Sequence, residues 1–136
     1  MKIINLTPHP LVIRRPDGTN ETIESSGIAR CEQTEKIIGD VDGVPVVCTS
    51  FGSVVGLPDA DPPCDGYSHQ CPHCGRYEWG HGFGGCEACG AQPRVFVVSS
   101  ISAQAVPHRK DVFVPARPLR DEQGRIIACT ALGRIA

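Results

Sequence analysis

The sequence predicts a mostly β (α+β) protein: a compact β-rich domain with one short helix, interrupted by a small cysteine-bearing module. Three observations carry this. Short runs rich in Val, Ile and Thr are separated by Gly, Pro, Asp and Asn, the punctuation of strands and turns. No stretch shows the recurrence at three and four residues that marks a long amphipathic helix. Between residues 61 and 92 the composition changes abruptly to Pro, Gly, Cys and His. With 136 residues, 40% hydrophobic and 5% aromatic, the core must rest on Val, Ile, Leu and Ala.

The elements follow in order. Lys2 to Asn5, Leu11 to Arg14 and Glu21 to Glu24 read as short strands, with Pro16-Asp17-Gly18 turning between the second and third. After a turn at Ser25-Ser26-Gly27, Ile28 to Ile38 reads as a longer, partly solvated strand. Asp42-Gly43 leads into the apolar run Val44 to Phe51, and Gly52 to Pro58 reads as a turn or hairpin end. Arg94 to Val98 is the strongest buried strand. Ser99-Ser100 can cap a helix from Ile101 to Val106, which Pro107 stops. Asp111 to Val114 and Arg125 to Leu132 complete the strands, with a turn at Asp121 to Gly124. The expected organisation is a discontinuous core, residues 1–60 and 93–136, with an insertion at 61–92.

Eight cysteines divide unequally. Cys71-Pro72-His73-Cys74-Gly75 and Cys86-Glu87-Ala88-Cys89-Gly90 are two C-x-x-C-Gly knuckles. Four thiolates so spaced suit one structural Zn²⁺, with each glycine permitting the tight turn that aims amides at sulfur. The insertion is therefore read as a small zinc-ribbon module, whose folding depends on the metal because it has little to bury. A redox dithiol is the competing reading, but it needs neither two copies nor this context. Cys64, His69, His73 and His81 are candidate substitute ligands, while Cys31, Cys48 and Cys129 lie in apolar or alternating runs and read as small buried hydrophobes. No apolar run reaches the roughly 20 residues needed to cross a bilayer, and no secretion signal is evident, so a cytoplasmic location is expected.

The net charge of −2 is uneven: −3 over residues 1–60, −3 over 61–92 and +4 over 93–136. An acidic module whose thiolates add further negative charge is a poor ligand for phosphate backbones, so nucleic-acid binding by the ribbon is disfavoured. Trp79, Tyr77 and Phe83 read as its miniature core. The basic C-terminal third attracts the search for a site. Ser99, Ser100 and Gln104 at the short helix, followed by Arg109, Arg117 and Arg120, suit a phosphate or carboxylate. His9, held between Pro8 and Pro10, could donate to such a ligand or act as an acid or base; equally, it completes a turn after strand one. No nucleophile elbow, H-E-x-x-H, Walker lysine or carboxylate pair is present.

Several segments resemble small phage, prophage and actinobacterial proteins of uncharacterised function. They are Ile3 to Pro10, Ser26 to Arg30, Phe51-Gly52 with Gly56-Leu57-Pro58, Val97 to Ala105, Arg109-Lys110-Asp111 with Val114-Pro115, and Arg120-Asp121 with Gly124. The resemblance covers most of the core and leaves the ribbon as an insertion. It implies a phage setting, in the host cytoplasm, where compact proteins bind host factors or sequester nucleotide signals used in defence. The function expected is a zinc-containing binding protein for a nucleotide-like anion, in an anti-defence role, rather than an enzyme. The alternatives are a protein-interaction or assembly module using the ribbon, and a metal-independent phosphodiesterase or nuclease acting through His9. The expected partners are a small anionic or nucleotide ligand or a host protein, with self-association into a homo-oligomer.

Overall fold

The computed structural model describes residues 1–63, 65, 67–80 and 84–135. Eight strands form two sheets among these residues. Six make one sheet: β1 (Lys2–Asn5), β2 (Leu11–Arg14), β3 (Asn20–Ile23), β6 (Arg94–Val97), β7 (Val112–Arg120) and β8 (Ile126–Gly133), in the order β1-β6-β7-β8-β2-β3. The other two, β4 (Arg30–Val41) and β5 (Val44–Val55), pair only with each other. The helix α1 (Ser100–Ala105) connects β6 to its parallel neighbour β7.

The large sheet takes three strands from before the cysteine-rich segment and three from after it. β1 lies parallel to β6, and β2 touches β8 at Ile13 opposite Cys129. The order nearly closes on itself, because Asn5 at the end of β1 bridges to Ser25 just beyond β3. Two apolar clusters fill the interior. Leu6, Ala29, Phe96, Val98, Val112 and Val114 form one, with Ala103 of α1 packed into it. Leu11, Ile13, Val97 and Cys129 form the other. Phe96, Val97 and Val98 are completely buried, as expected of a strand with neighbours on both edges.

The turn after β1 is built by Asn5. Its side chain is fully buried; Nδ2 donates to the carbonyls of His9 (2.7 Å) and Ile23 (3.0 Å). Its Oδ1 accepts from Thr7 N (3.0 Å) and Thr7 Oγ1 (2.6 Å). This is a buried side chain satisfying backbone groups of the turn and of the end of β3.

Three sequence expectations need correction. Gly52 to Val55 is strand rather than turn: Val54 and Val55 pair with Cys31 and Arg30, with a register shift opposite Glu32. β7 does not stop at Val114 but runs through Pro115 and Pro118 to Arg120. Its ladder to β6 ends at Phe113, so the prolines sit where the second edge is unpaired and a missing N–H costs nothing. Cys48 is exposed and Cys31 half-buried; of the three presumed core cysteines only Cys129 is buried.

The root of the β4–β5 hairpin is fixed by Gly56, at φ +87°, where an added Cβ would stand 2.4 Å from the Ile28 carbonyl oxygen. Gly56→Ala should therefore cost about 2 kcal/mol or more, from the left-handed backbone and the collision together. Thermal unfolding reads this directly; an unchanged midpoint would mean that the root shifts freely.

Candidate functional site

The four knuckle cysteines come together. Their Sγ atoms all lie within 4.8 Å of one another, with 3.8 Å between Cys71 and Cys89 and 3.6 Å between Cys74 and Cys86. Tetrahedral thiolates at about 2.3 Å from one ion would be about 3.8 Å apart, so the set can hold a single metal ion. The two knuckles repeat one backbone solution. Gly75 N donates to the Cys71 carbonyl and Gly90 N to the Cys86 carbonyl, each at 2.9 Å, with the glycines at φ 78° and 76°. The amides of His73 and Cys74 point at Cys71 Sγ from 3.3 and 3.4 Å.

Electrostatics prepare this cluster for a cation. Burial pushes the Cys71 thiol up, but the Cys74 and His73 amides, helped by neighbouring thiols, outweigh it and hold Cys71 at about 7. At Cys89 the Ala91 amide lowers the thiol, yet burial and competition with the other three sulfurs prevail and drive it to about 12. Four sulfurs this close cannot all ionise unless a cation shares their charge.

Around the sulfurs the module buries Trp79, 1% exposed, whose indole donates to the Pro62 carbonyl at 2.8 Å. Tyr77, expected in the miniature core, is 67% exposed instead, and Phe83 lies outside the described residues. Among the substitute ligands considered, His69 is engaged by Asp65 at 2.9 Å and is not one of the clustered donors; nor is His73. Cys64 and His81 lie outside the described residues. Asp61 ties the module to the sheet through Arg94, at 2.6 Å. A cleft of about 360 Å³ opens at this junction, lined by Lys2, His73, Gln92 and the Asp61–Arg94 pair. That pair satisfies its own charges.

The anion-binding residues expected in the C-terminal third separate. Ser99 caps α1, accepting from Ser102 N, and lines a cleft of about 380 Å³. Ser100 and His9 do not line it; the His9 backbone carbonyl, rather than its ring, serves the Asn5 turn. Gln104 faces a different hollow, beside Phe51 and Gly52. Arg109 is committed to Asp111 (2.7 Å) and the Pro58 carbonyl (2.9 Å). Burial alone would raise the Asp111 carboxyl, but the Arg109 guanidinium holds it below the ordinary range. Arg120 donates to the Gly124 carbonyl, and Arg117 sits at φ 51° in β7 between its two prolines.

The cleft that does form joins three distant segments. Leu6, Thr7 and Pro8 supply one wall, Ile28 to Gln33 part of the second, and Ser99, Ile101 and Ser102 the third. Backbone and side-chain bonds stitch them: Ala29 N to the Leu6 carbonyl (3.0 Å), Leu6 N to the Val97 carbonyl (2.9 Å), and Ser102 Oγ to the Ala29 carbonyl (3.1 Å). Arg30 lies on the rim, exposed, with no ion pair or side-chain hydrogen bond to the described residues. Residue chemistry alone passed over Arg30, since one arginine opening a strand carries no signal. Its place in the Ser26 to Arg30 segment was the only hint. No family model, curated protein or solved structure matches the chain. No helix among the described residues is long and apolar enough to cross a membrane.

Proposed function

We propose that this chain is a non-catalytic binding protein of the phage type, in which Zn²⁺ staples the ribbon and the cleft beside α1 takes a nucleotide-like anion. The observation that carries the reading is the convergence at that cleft. Three of the segments that resemble phage proteins, Ile3 to Pro10, Ser26 to Arg30 and Val97 to Ala105, meet around one hollow, and the Arg30 guanidinium at its rim has no ion pair among the described residues. Its volume falls at the lower end of the range for small-molecule sites. Apolar surface from Leu6, Ile28 and Ile101 suits a base or ribose face, while Arg30, Gln33 and the Ser99 and Thr7 hydroxyls offer polar contacts to phosphate. This reading keeps Ser99 from the residues expected in sequence and takes its cation from Arg30 instead of Arg109.

Zinc is the metal the donor set favours, because four thiolates in a tetrahedron match its softness and leave no open position for catalysis. Such a thiolate site, together with the exposed Cys48 thiol, fits a reducing cytoplasm. Sequestration of a nucleotide signal, with no turnover, is the activity this combination supports.

The test is a thermal-shift screen of the zinc-loaded protein against cyclic nucleotides and ADP-ribose-type compounds. One class should raise the unfolding midpoint, and the bound compound should be recovered intact. Arg30→Ala should weaken that binding roughly tenfold or more, as expected for a lost charge-assisted contact of about 1.5–3 kcal/mol. Its own stability should not change. Absence of stabilisation by any compound, or equal binding by Arg30→Ala, would refute the reading.

A further inference from the structure

The hairpin of β4 and β5 belongs to neither the metal centre nor the cleft wall except at its root. Towards its tip nothing among the described residues covers it. Ile37, Ile38, Val41 and Val44 are 64–69% exposed there, and Phe51, nearer the root and beside α1, is 56% exposed. Register places Ile37 beside Val47 and Gln33 beside Phe51 on one face, with Val41 beside Val44 on the other. Both faces therefore show apolar side chains to solvent. A lone two-stranded ribbon is marginal in water, and further strands are the usual remedy.

Its two free edges differ in charge. Along β4 stand Arg30, Glu32, Glu35, Lys36 and Asp40, and Ile38 bulges out of register. Charges and bulges are what guard an edge against pairing. β5 carries no charged residue over its whole length. Between Pro45 and the register shift at Gly52-Ser53, Val46 to Phe51 is a regular, uncharged, proline-free edge of ordinary strand length.

We propose that β5 of one copy pairs antiparallel with β5 of a second copy across a twofold axis at Thr49, making a four-stranded β4-β5-β5-β4 sheet. A second copy is the occupant that β5 fits, because its uncharged edge is self-complementary. β5 against β5 opposes no like charges, whereas β4 against β4 would set carboxylates near carboxylates. Symmetry then fixes the register, because a residue on the axis must face itself. Centring on Thr49 sets Val47 opposite Phe51 and Cys48 opposite Ser50. Val47 with Phe51 is a β-branched–aromatic pair of the kind that stabilises sheets. Centring on Cys48 would bring Phe51 onto Pro45, and centring on Ser50 would bring Val47 onto Ser53 in the irregular stretch. The pairing uses both β5 edges and leaves only guarded β4 edges outside, so assembly stops at two copies rather than propagating. It rests on the hairpin alone and stands or falls independently of the ligand.

Light scattering on the full, zinc-loaded chain tests it. The unmodified protein should have the mass of a dimer, and Val47→Lys, a change at a solvent-exposed position of the single chain, should have that of a monomer with its unfolding midpoint retained. In a second variant, Cys48→Ser with Thr49→Cys, mild oxidation should yield a covalent dimer, whereas Cys48→Ser with Thr34→Cys on β4 should not. A monomer at every concentration would overturn the proposal and leave the hairpin to a partner of different sequence. A Val47→Lys dimer of unaltered strength, an unbounded aggregate, or no cross-link through position 49 would overturn it as well.

Discussion

Chelating the metal should unfold residues 61–92 while the six-stranded sheet survives. The module's buried set is Cys71, Trp79 and Cys86, with Ala91 partly covered, and that is too little apolar surface to offset the entropy of ordering a loop-rich segment. Metal binding would supply the difference; apparent values for structural zinc in small modules run to about 10–16 kcal/mol. Trp79 is the chain's one tryptophan, so its fluorescence reports on the module alone. Its emission should shift to the red on chelation, while amide signals from β6 to β8 stay dispersed. Cys86→Ser should have the same effect with metal present. An unshifted Trp79 spectrum would mean that the ribbon folds by burial after all. Acid should mimic the chelator. The thiolates must lose protons to bind, and the Cys71 thiol is held at about 7, below its ordinary 9.0. Its ionised form is thus present above that value and lost as pH falls through it, and metal affinity falls in the same direction. A metal-binding titration across pH 5 to 8 should therefore weaken steadily on the acid side.

Asn5→Ala should strongly destabilise the six-stranded sheet. Asn5 is fully buried and its amide makes four hydrogen bonds, to His9, Ile23 and, twice, Thr7. Alanine would leave the Ile23 carbonyl and the Thr7 amide without their Asn5 partners and empty a buried site, while Thr7 Oγ1 still donates to the His9 carbonyl at 3.0 Å. Each unsatisfied buried group costs about 1–3 kcal/mol, so a total of about 3–4 kcal/mol is expected after partial relaxation. For a chain of this size that lowers the unfolding midpoint by roughly 10 °C. Asn5→Asp should be nearly as harmful, because it removes both Nδ2 donors and buries a charge. Scanning calorimetry decides it, and a shift of a degree or two would show that the turn does not depend on this side chain.

The local elements were legible because they obey local rules. β1, β2 and β6 stand where β-branched runs place them, and Ser99 caps α1 as its position before the helix requires. The two knuckles were legible for the same reason, since ligand spacing and the following glycine fix one short backbone path each. β7 extends past the sequence expectation because Pro115 and Pro118 normally end strands, and only the sheet order reveals that their edge has no neighbour among the described residues. Cys48 was misplaced by an apolar context that in fact lies in a solvent-exposed hairpin. Hydrophobic composition marks a strand but not what covers it.

By itself the sequence determined the fold class and the cysteines that cluster, because composition, turn chemistry and short-range spacing act within a few residues of chain. The tertiary structure alone decided where charge is free. Of the seven basic side chains in residues 93–136, Arg94, Arg109 and Arg125 pair with Asp61, Asp111 and Asp121, Arg120 donates to a turn carbonyl, and Lys110, Arg117 and Arg134 make no ion pair with the described residues. Arg30, in an acidic part of the chain, makes no ion pair with the described residues and stands at the rim of a cleft. Arg94 meets Asp61 33 residues away and Arg109 meets the Pro58 carbonyl 51 residues away, pairings that exist only after the sheet has folded.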